Sequence, residues 1–216
     1  MSPEESAARS RSKSPVKDLW PRPVLYGITH RLLFPELSVE DYLAAVFRTK
    51  ADVIQWREKD LADQRARTWL ESAGGLARLA GKTLLVNTHL EMARELGLDG
   101  VHLNSRQRFH AGKERPDLPP EFIVGQSVHS LEEALAAEAS GVDYLLLGPL
   151  RDPLSKAATG PSLGIDAFTR ICGSVHVPVV ALGGVTPSDW TEIEGTGAWG
   201  MAGISWLADE IRALTH

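Results

Sequence analysis

Eight short apolar runs, each followed by a longer stretch of helical spacing or a short helical turn, constrain this chain more than any other feature. The first two are Val24-Leu25-Tyr26-Gly27-Ile28-Thr29 and Asp52-Val53-Ile54-Gln55-Trp56-Arg57. Thr83 to Asn87, Gly100 to Asn104 and Phe122 to His129 follow, then Tyr144 to Gly148, Pro178 to Gly183 and Gly200 to Ser205. Near-continuous apolar runs of this length suit parallel strands covered on both faces. Between them, Ser38 to Thr49, Leu61 to Ala80, Leu131 to Ser140 and Ile165 to Gly173 carry apolar residues at three- and four-residue spacing, which predicts helices. Ser130 with Glu133 fits a capping box, Ser188 fits an N-cap, and Gly81, Gly97, Gly141 and Gly197 fall where helices end in a left-handed residue. A strand-helix unit repeated this way, with no second domain, predicts an α/β fold: a single (β/α)8 TIM barrel over residues 23–216. An open doubly wound sheet is the second choice. No repeat beyond the strand-helix rhythm is visible.

The composition is that of an ordinary soluble domain, 43% hydrophobic and 24% charged. A net charge of -5 argues against nucleic acid as a partner. No apolar run approaches the roughly 20 residues a bilayer requires, so no membrane partner is expected. Residues 1–22 are rich in Ser, Pro, Arg and Glu and lack the apolar stretch of a signal peptide. They read as a disordered tail, and a cytoplasmic location follows by default. The lone Cys172 excludes an intrachain disulfide and reads as a small hydrophobe within a helix.

Barrels collect function at the C-terminal ends of their strands. Alternation at the end of the second strand sets Gln55, Arg57 and Lys59 on one face and Trp56 and Glu58 on the other. Three donors, two of them cationic, aimed into a barrel mouth suit a phosphate, pyrophosphate or carboxylate. Gly183 and Gly184 end the seventh strand, and Ile204 and Ser205 end the eighth, where barrels often hold phosphate. Asn87 and Ser127 add polarity at the ends of the third and fifth strands. His129 follows Ser127-Val128, and an imidazole there can move a proton close to neutral pH. Lys156 lies in the small-residue loop Arg151 to Pro161 and could bring a cation to a ligand. His89 and His102 are weaker candidates, with His102 reading as a packing residue, and His30 flanks the first strand.

These residues resemble the thiamine-phosphate synthase/TenI family, from about Tyr26 to Leu207. The marks are Tyr26-Gly27-Ile28-Thr29, Gln55 to Lys59, Val86 to His89, Asp99 to Leu103, Gly125 to Ser130, Gly141 to Tyr144, Gly148-Pro149, Lys156, and Pro178 to Gly184. The resemblance implies one of two chemistries. The synthase branch joins a pyrimidine pyrophosphate to a thiazole phosphate with Mg2+, held in part by two aspartates. Thr88 and Gln107 stand in those two places here, and Pro153 stands near the family's loop threonine. Neither Thr88 nor Gln107 is anionic, whereas Mg2+ prefers carboxylate oxygens, so no metal ligand is expected. The TenI branch isomerises a carboxythiazole phosphate to its aromatic tautomer without a metal, and its Ser-Val-His-Ser segment is present as Ser127 to Ser130.

The resemblance therefore implies a metal-independent thiazole tautomerase with no cofactor and with His129 as acid/base. Phosphate would sit on Gly183, Gly184, Ile204 and Ser205. Gln55, Arg57, Lys59, Asn87, Ser127 and Lys156 would contact the rest of a small phosphorylated thiazole. A homodimer is implied too. The alternatives are a thiamine-phosphate synthase, with Mg2+ only in that case, or a non-catalytic binder of thiazole or thiamin phosphate.

Overall fold

The computed structural model describes residues 16–151 and 161–215. Eight parallel strands close in sequence order: β1 (Val24–Ile28), β2 (Val53–Trp56), β3 (Thr83–Asn87), β4 (Gly100–Leu103), β5 (Ile123–Val128), β6 (Tyr144–Leu147), β7 (Val179–Leu182) and β8 (Gly200–Gly203). β8 returns to β1, with Val24 opposite Gly200, which removes the open-sheet alternative. The fold is a (β/α)8 TIM barrel.

The helices are α1 (Val16–Leu19), α2 (Val39–Arg48), α3 (Asp63–Ala80), α4 (Leu90–Glu95), α5 (Ala111–Glu114), α6 (Leu131–Ala139), α7 (Gly164–Cys172), α8 (Trp190–Ile193) and α9 (Ser205–Thr215). Their ends follow local chemistry. Ser38 accepts from the Asp41 N–H and opens α2, and Ser130 accepts from the Glu133 N–H and opens α6. The Glu133 carboxylate reaches back one residue further than a capping box requires, taking the His129 N–H at 2.8 Å. Ser188 is not an N-cap. Thr186, two residues earlier, takes that place and forms the reciprocal box with Asp189. Gly81, Gly97, Gly141 and Gly197 all adopt positive φ, as expected of helix ends.

Strand alternation divides the apolar residues into two cores. Ile54, Leu84, Val86 and Val101 point outward and pack with the helices, joined by Trp206. Val24, Tyr26, Val53, Leu85, Ile123, Tyr144 and Val180 fill the barrel. Trp199 packs against this inner group rather than the outer helices, with the Arg22 guanidinium 5.6 Å from its ring.

The expected tail boundary at residue 22 moves. Val16 and Trp20 are buried in the inner core, and the Trp20 ring lies 4.8 Å from that of Tyr144. α1 and Trp20 just after it thus cover the N-terminal foot of the barrel, because Val16 and Trp20 fall one turn apart and Trp20 meets Tyr26 of β1 and Tyr144 of β6. Residues 1–15 lie outside the described residues.

Three aspartates occupy the same position before even-numbered strands. Asp52, Asp99 and Asp143 accept from the backbone N–H groups of Leu25, Leu84 and Val124 on the preceding strand, at 2.8, 2.7 and 2.8 Å. Each carboxylate satisfies a donor that the first ladder rung leaves open. Asp143 also pairs with Arg115, and both side chains are nearly buried. The corresponding residue before β8 is Trp199, which donates its backbone N–H to Val179 but has no side-chain oxygen to offer in return.

Candidate active site

A cavity of about 550 Å³ opens at the C-terminal ends of β2 to β5. Gln55, Arg57, Lys59, Asn87, Ser127 and His129 all line it. Alternation set Gln55, Arg57 and Lys59 on one face, and position at a strand end singled out Asn87, Ser127 and His129. The hydroxyl of buried Thr29 accepts the Arg57 N–H at 2.9 Å and fixes the backbone where β2 ends. Asp60 pairs with Arg31, and Glu58 accepts from the Arg31 N–H and the Tyr42 hydroxyl. Among the described residues, no carboxylate comes within ion-pairing distance of Arg57 or Lys59. Desolvation pulls the Arg57 pKa below its usual value against the opposing field of Glu58, and the Arg57 charge, with some desolvation, pulls Lys59 down. Two unpaired cations that disfavour one another make a receptive place for an anion.

His129 is fixed from behind. Its Nδ1 lies 2.6 Å from the Gly148 carbonyl oxygen, which can only accept, so Nδ1 carries a proton. Nε2 is the nitrogen left without a proton in the neutral ring, on a side chain at the cavity wall. His89, the first residue before α4, lines the wall too.

The expected phosphate residues stand apart from this wall. The cavity meets β7 at Leu182, while Gly183, Gly184, Ile204 and Ser205 are not among its lining residues. Gly183 and Gly184 hold φ of 94° and 66°, a left-handed turn that opens backbone next to Leu182. Arg151 straps this turn, donating its N–H to the Gly183 carbonyl and its guanidinium to Asp189 and Glu192. Ser205 is the first residue of α9, and Ile204 packs on the inner core. Lys156 and Pro153 lie outside the described residues.

The two positions where the resemblance expects metal-holding aspartates carry neutral groups that hydrogen-bond to one another. Gln107 Nε2 donates to the Thr88 carbonyl at 3.1 Å, while its Oε1 accepts the Asn104 N–H at 3.0 Å. The Thr88 hydroxyl donates to the Asn87 carbonyl at 2.7 Å, and Thr88 holds a positive φ of 66° to do so. The carboxylates at the wall are Glu58, already engaged, and Asp63 at the start of α3. No group of three potential metal ligands exists among the described residues. This donor set does not fit Mg2+.

His102 is where the sequence reading fell short. It is not a packing residue: it is 1% exposed, lines the cavity floor, and holds Tyr144 and Ser127 through its two ring nitrogens, each at 2.8 Å. The parity that turned Gln55 inward also turns His102 inward, two residues past Gly100 on a barrel strand. That signal was available and was outweighed by the apolar run around it.

The fold and the wall together define a (β/α)8-barrel protein with a polar, cation-bearing ligand cavity at the strand C-termini. The family model described as thiamine monophosphate synthase matches residues 25–207, and the chain belongs to that family. It is 37% identical over 189 residues to the thiamine-phosphate synthase of Methanoculleus marisnigri, covering 86% of this chain and 88% of that one. A putative thiamine-phosphate synthase of Geobacter sulfurreducens is 39% identical, covering 84% of each chain. Among solved structures, the thiamine phosphate pyrophosphorylase of Pyrococcus furiosus superposes with a TM-score of 0.70 at 30% identity, covering 88% of this chain and 94% of that one. No helix among the described residues is long and apolar enough to cross a membrane.

Proposed function

We propose that this cavity turns over a small phosphorylated thiazole in thiamin biosynthesis, as a metal-independent tautomerase of carboxythiazole phosphate. The observation that carries the reading is His129: pinned through Nδ1 to Gly148, it stands at the wall of a cavity where neutral Thr88, held by Gln107, takes the place of an aspartate expected to hold a metal. Aromatising the ring moves one proton from one carbon to another of the same molecule. A single imidazole that takes and returns it balances the reaction with no cosubstrate. Arg57 and Lys59 suit the carboxylate or the phosphate, and the turn at Gly183 and Gly184 with Ile204 and Ser205 suits the phosphate if the ligand reaches β7.

The relatives' names favour a second reading, the synthase reaction, because they extend over most of both chains. One set of assays separates the two. The expected result is turnover of carboxythiazole phosphate in the presence of a chelator. His129→Ala should lower that rate roughly 100- to 10,000-fold with ligand affinity little changed. Magnesium-dependent pyrophosphate release from the pyrimidine pyrophosphate and thiazole phosphate, without tautomerase turnover, overturns the first reading in favour of the second. Tight binding of thiazole or thiamin phosphate with neither reaction points to a non-catalytic binder.

A further inference from the structure

Beneath the cavity, one side chain from each of the first six strands joins a continuous hydrogen-bonded chain: Ser127, His102, Tyr144, Tyr26, Gln55 and Asn87. Its two ends, Ser127 and Asn87, lie in the cavity wall, while Tyr26 and Tyr144 are fully buried below it. With the Gln55 and Asn87 amides oriented as they stand, counting protons assigns every other donor. Gln55 Nε2 donates to Asn87 Oδ1 at 2.9 Å, so Gln55 Oε1 faces Tyr26 and accepts its hydroxyl proton at 3.1 Å. A phenol has one proton, so the 2.8 Å contact between the tyrosine oxygens is made by the proton of Tyr144. Tyr144 then has none left for His102, whose Nδ1, at 2.8 Å, must donate to it. A neutral imidazole carries one proton, so His102 Nε2 accepts from the Ser127 hydroxyl at 2.8 Å. Burial keeps His102 neutral by pushing its pKa down to about 3, and no described carboxylate touches the ring.

We infer that the chain has one proton direction, from Ser127 to Asn87, and that it thereby presents Ser127 to the ligand as an acceptor and Asn87 as a donor. His102, Tyr144 and Tyr26 are positioning residues in this scheme, since they act through the groups at the two ends. The inference rests on reading the cavity as a ligand site and adds the chemistry of the ligand edge that crosses its floor. That edge carries an N–H, an O–H or a bound water over Ser127, and an acceptor, such as a heteroaromatic ring nitrogen, over Asn87. A ligand with the reverse pattern leaves two polar groups unmatched at the floor, which is how such sites reject close analogues.

The test is 15N-histidine NMR of the full chain without ligand. The His102 signal is identified as the one retained when the other six of its seven histidines are replaced by Gln, or as the one lost in His102→Asn. We expect Nδ1 protonated and Nε2 unprotonated across about pH 5 to 8, the range in which an ordinary histidine titrates. Tyr26→Phe keeps the ring beside Trp20 and Tyr144 but removes the acceptor of the Tyr144 proton. Tyr144 should then donate to His102 Nδ1, moving the imidazole proton to Nε2 and turning Ser127 into a donor. The Kd for carboxythiazole phosphate should rise about tenfold in that variant. A proton on Nε2 in the wild type, or an imidazolium, overturns the assignment, and an unchanged tautomer in Tyr26→Phe overturns the relay. Because the tautomer is read without ligand, failure of the proposed reaction and failure of this inference are separate outcomes.

Discussion

At the residue scale, the chemistry of this site is a matter of which nitrogen holds which proton. His129 has one nitrogen assigned by a neighbour that can only accept, the Gly148 oxygen, whereas the His102 tautomer inferred above follows from where the single proton of Tyr144 goes. They differ in burial. His129 sits at the exposed mouth, whereas the pKa of His102 falls to about 3 because burial penalises its charged form. That depression has a direction in stability. Below the ordinary histidine range the unfolded chain binds a proton at this residue and the folded chain does not, so acid favours unfolding. Stability should fall as pH drops from about 7 to about 5, with His102 contributing on the order of 2 kcal/mol. Urea unfolding at both pH values measures it. His102→Gln should lose that share of the pH dependence, and an equal dependence in the variant would remove the assignment. The cations and His129 were legible in the sequence because charge and alternation mark them. The inward turn of His102 was legible by the same alternation, but its role was not, since that depends on Tyr144 and Ser127, distant in the chain and adjacent only once the barrel closes.

At the scale of elements, strands and helices were legible because apolar periodicity and caps are local. α2, α3, α6 and α7 differ from the expected spans by a residue or two at their ends. The cap at Ser188 was misplaced because Thr186-Pro187 starts its turn earlier, and proline at the first position already has the helical φ. β5 illustrates an element shaped by its neighbour. A methyl group on Gly125 would stand 2.0 Å from the Tyr144 ring, so glycine here makes room for the aromatic beside it rather than for an unusual backbone angle. Gly125→Ala should cost roughly 1 to 3 kcal/mol as an overpacked core. The displaced ring should also release His102 Nδ1. A urea midpoint unchanged from the wild type would show that the ring yields freely.

At the scale of the whole molecule, α1 and the cavity sit at opposite ends of one packed interior. Trp20 touches both tyrosines from below, and the same tyrosines carry the hydrogen-bonded chain upward. Nothing local in residues 16–22 announces this, since Val16 and Trp20 are buried while Leu19 between them is exposed; only the closed barrel supplies their partners. The three aspartates before β2, β4 and β6 have a different consequence. Each ties its strand back to the one before it by a side-chain link beyond the ladder, which marks β1–β2, β3–β4 and β5–β6 as two-strand modules. Severing the backbone after Gly81, between modules, should leave fragments that reassociate when co-expressed, whereas severing it at Gly97, within the β3–β4 module, should not. Recovery of folded complex measured by gel filtration decides the point, and equal recovery from both breaks would mean that the modules have no independent standing.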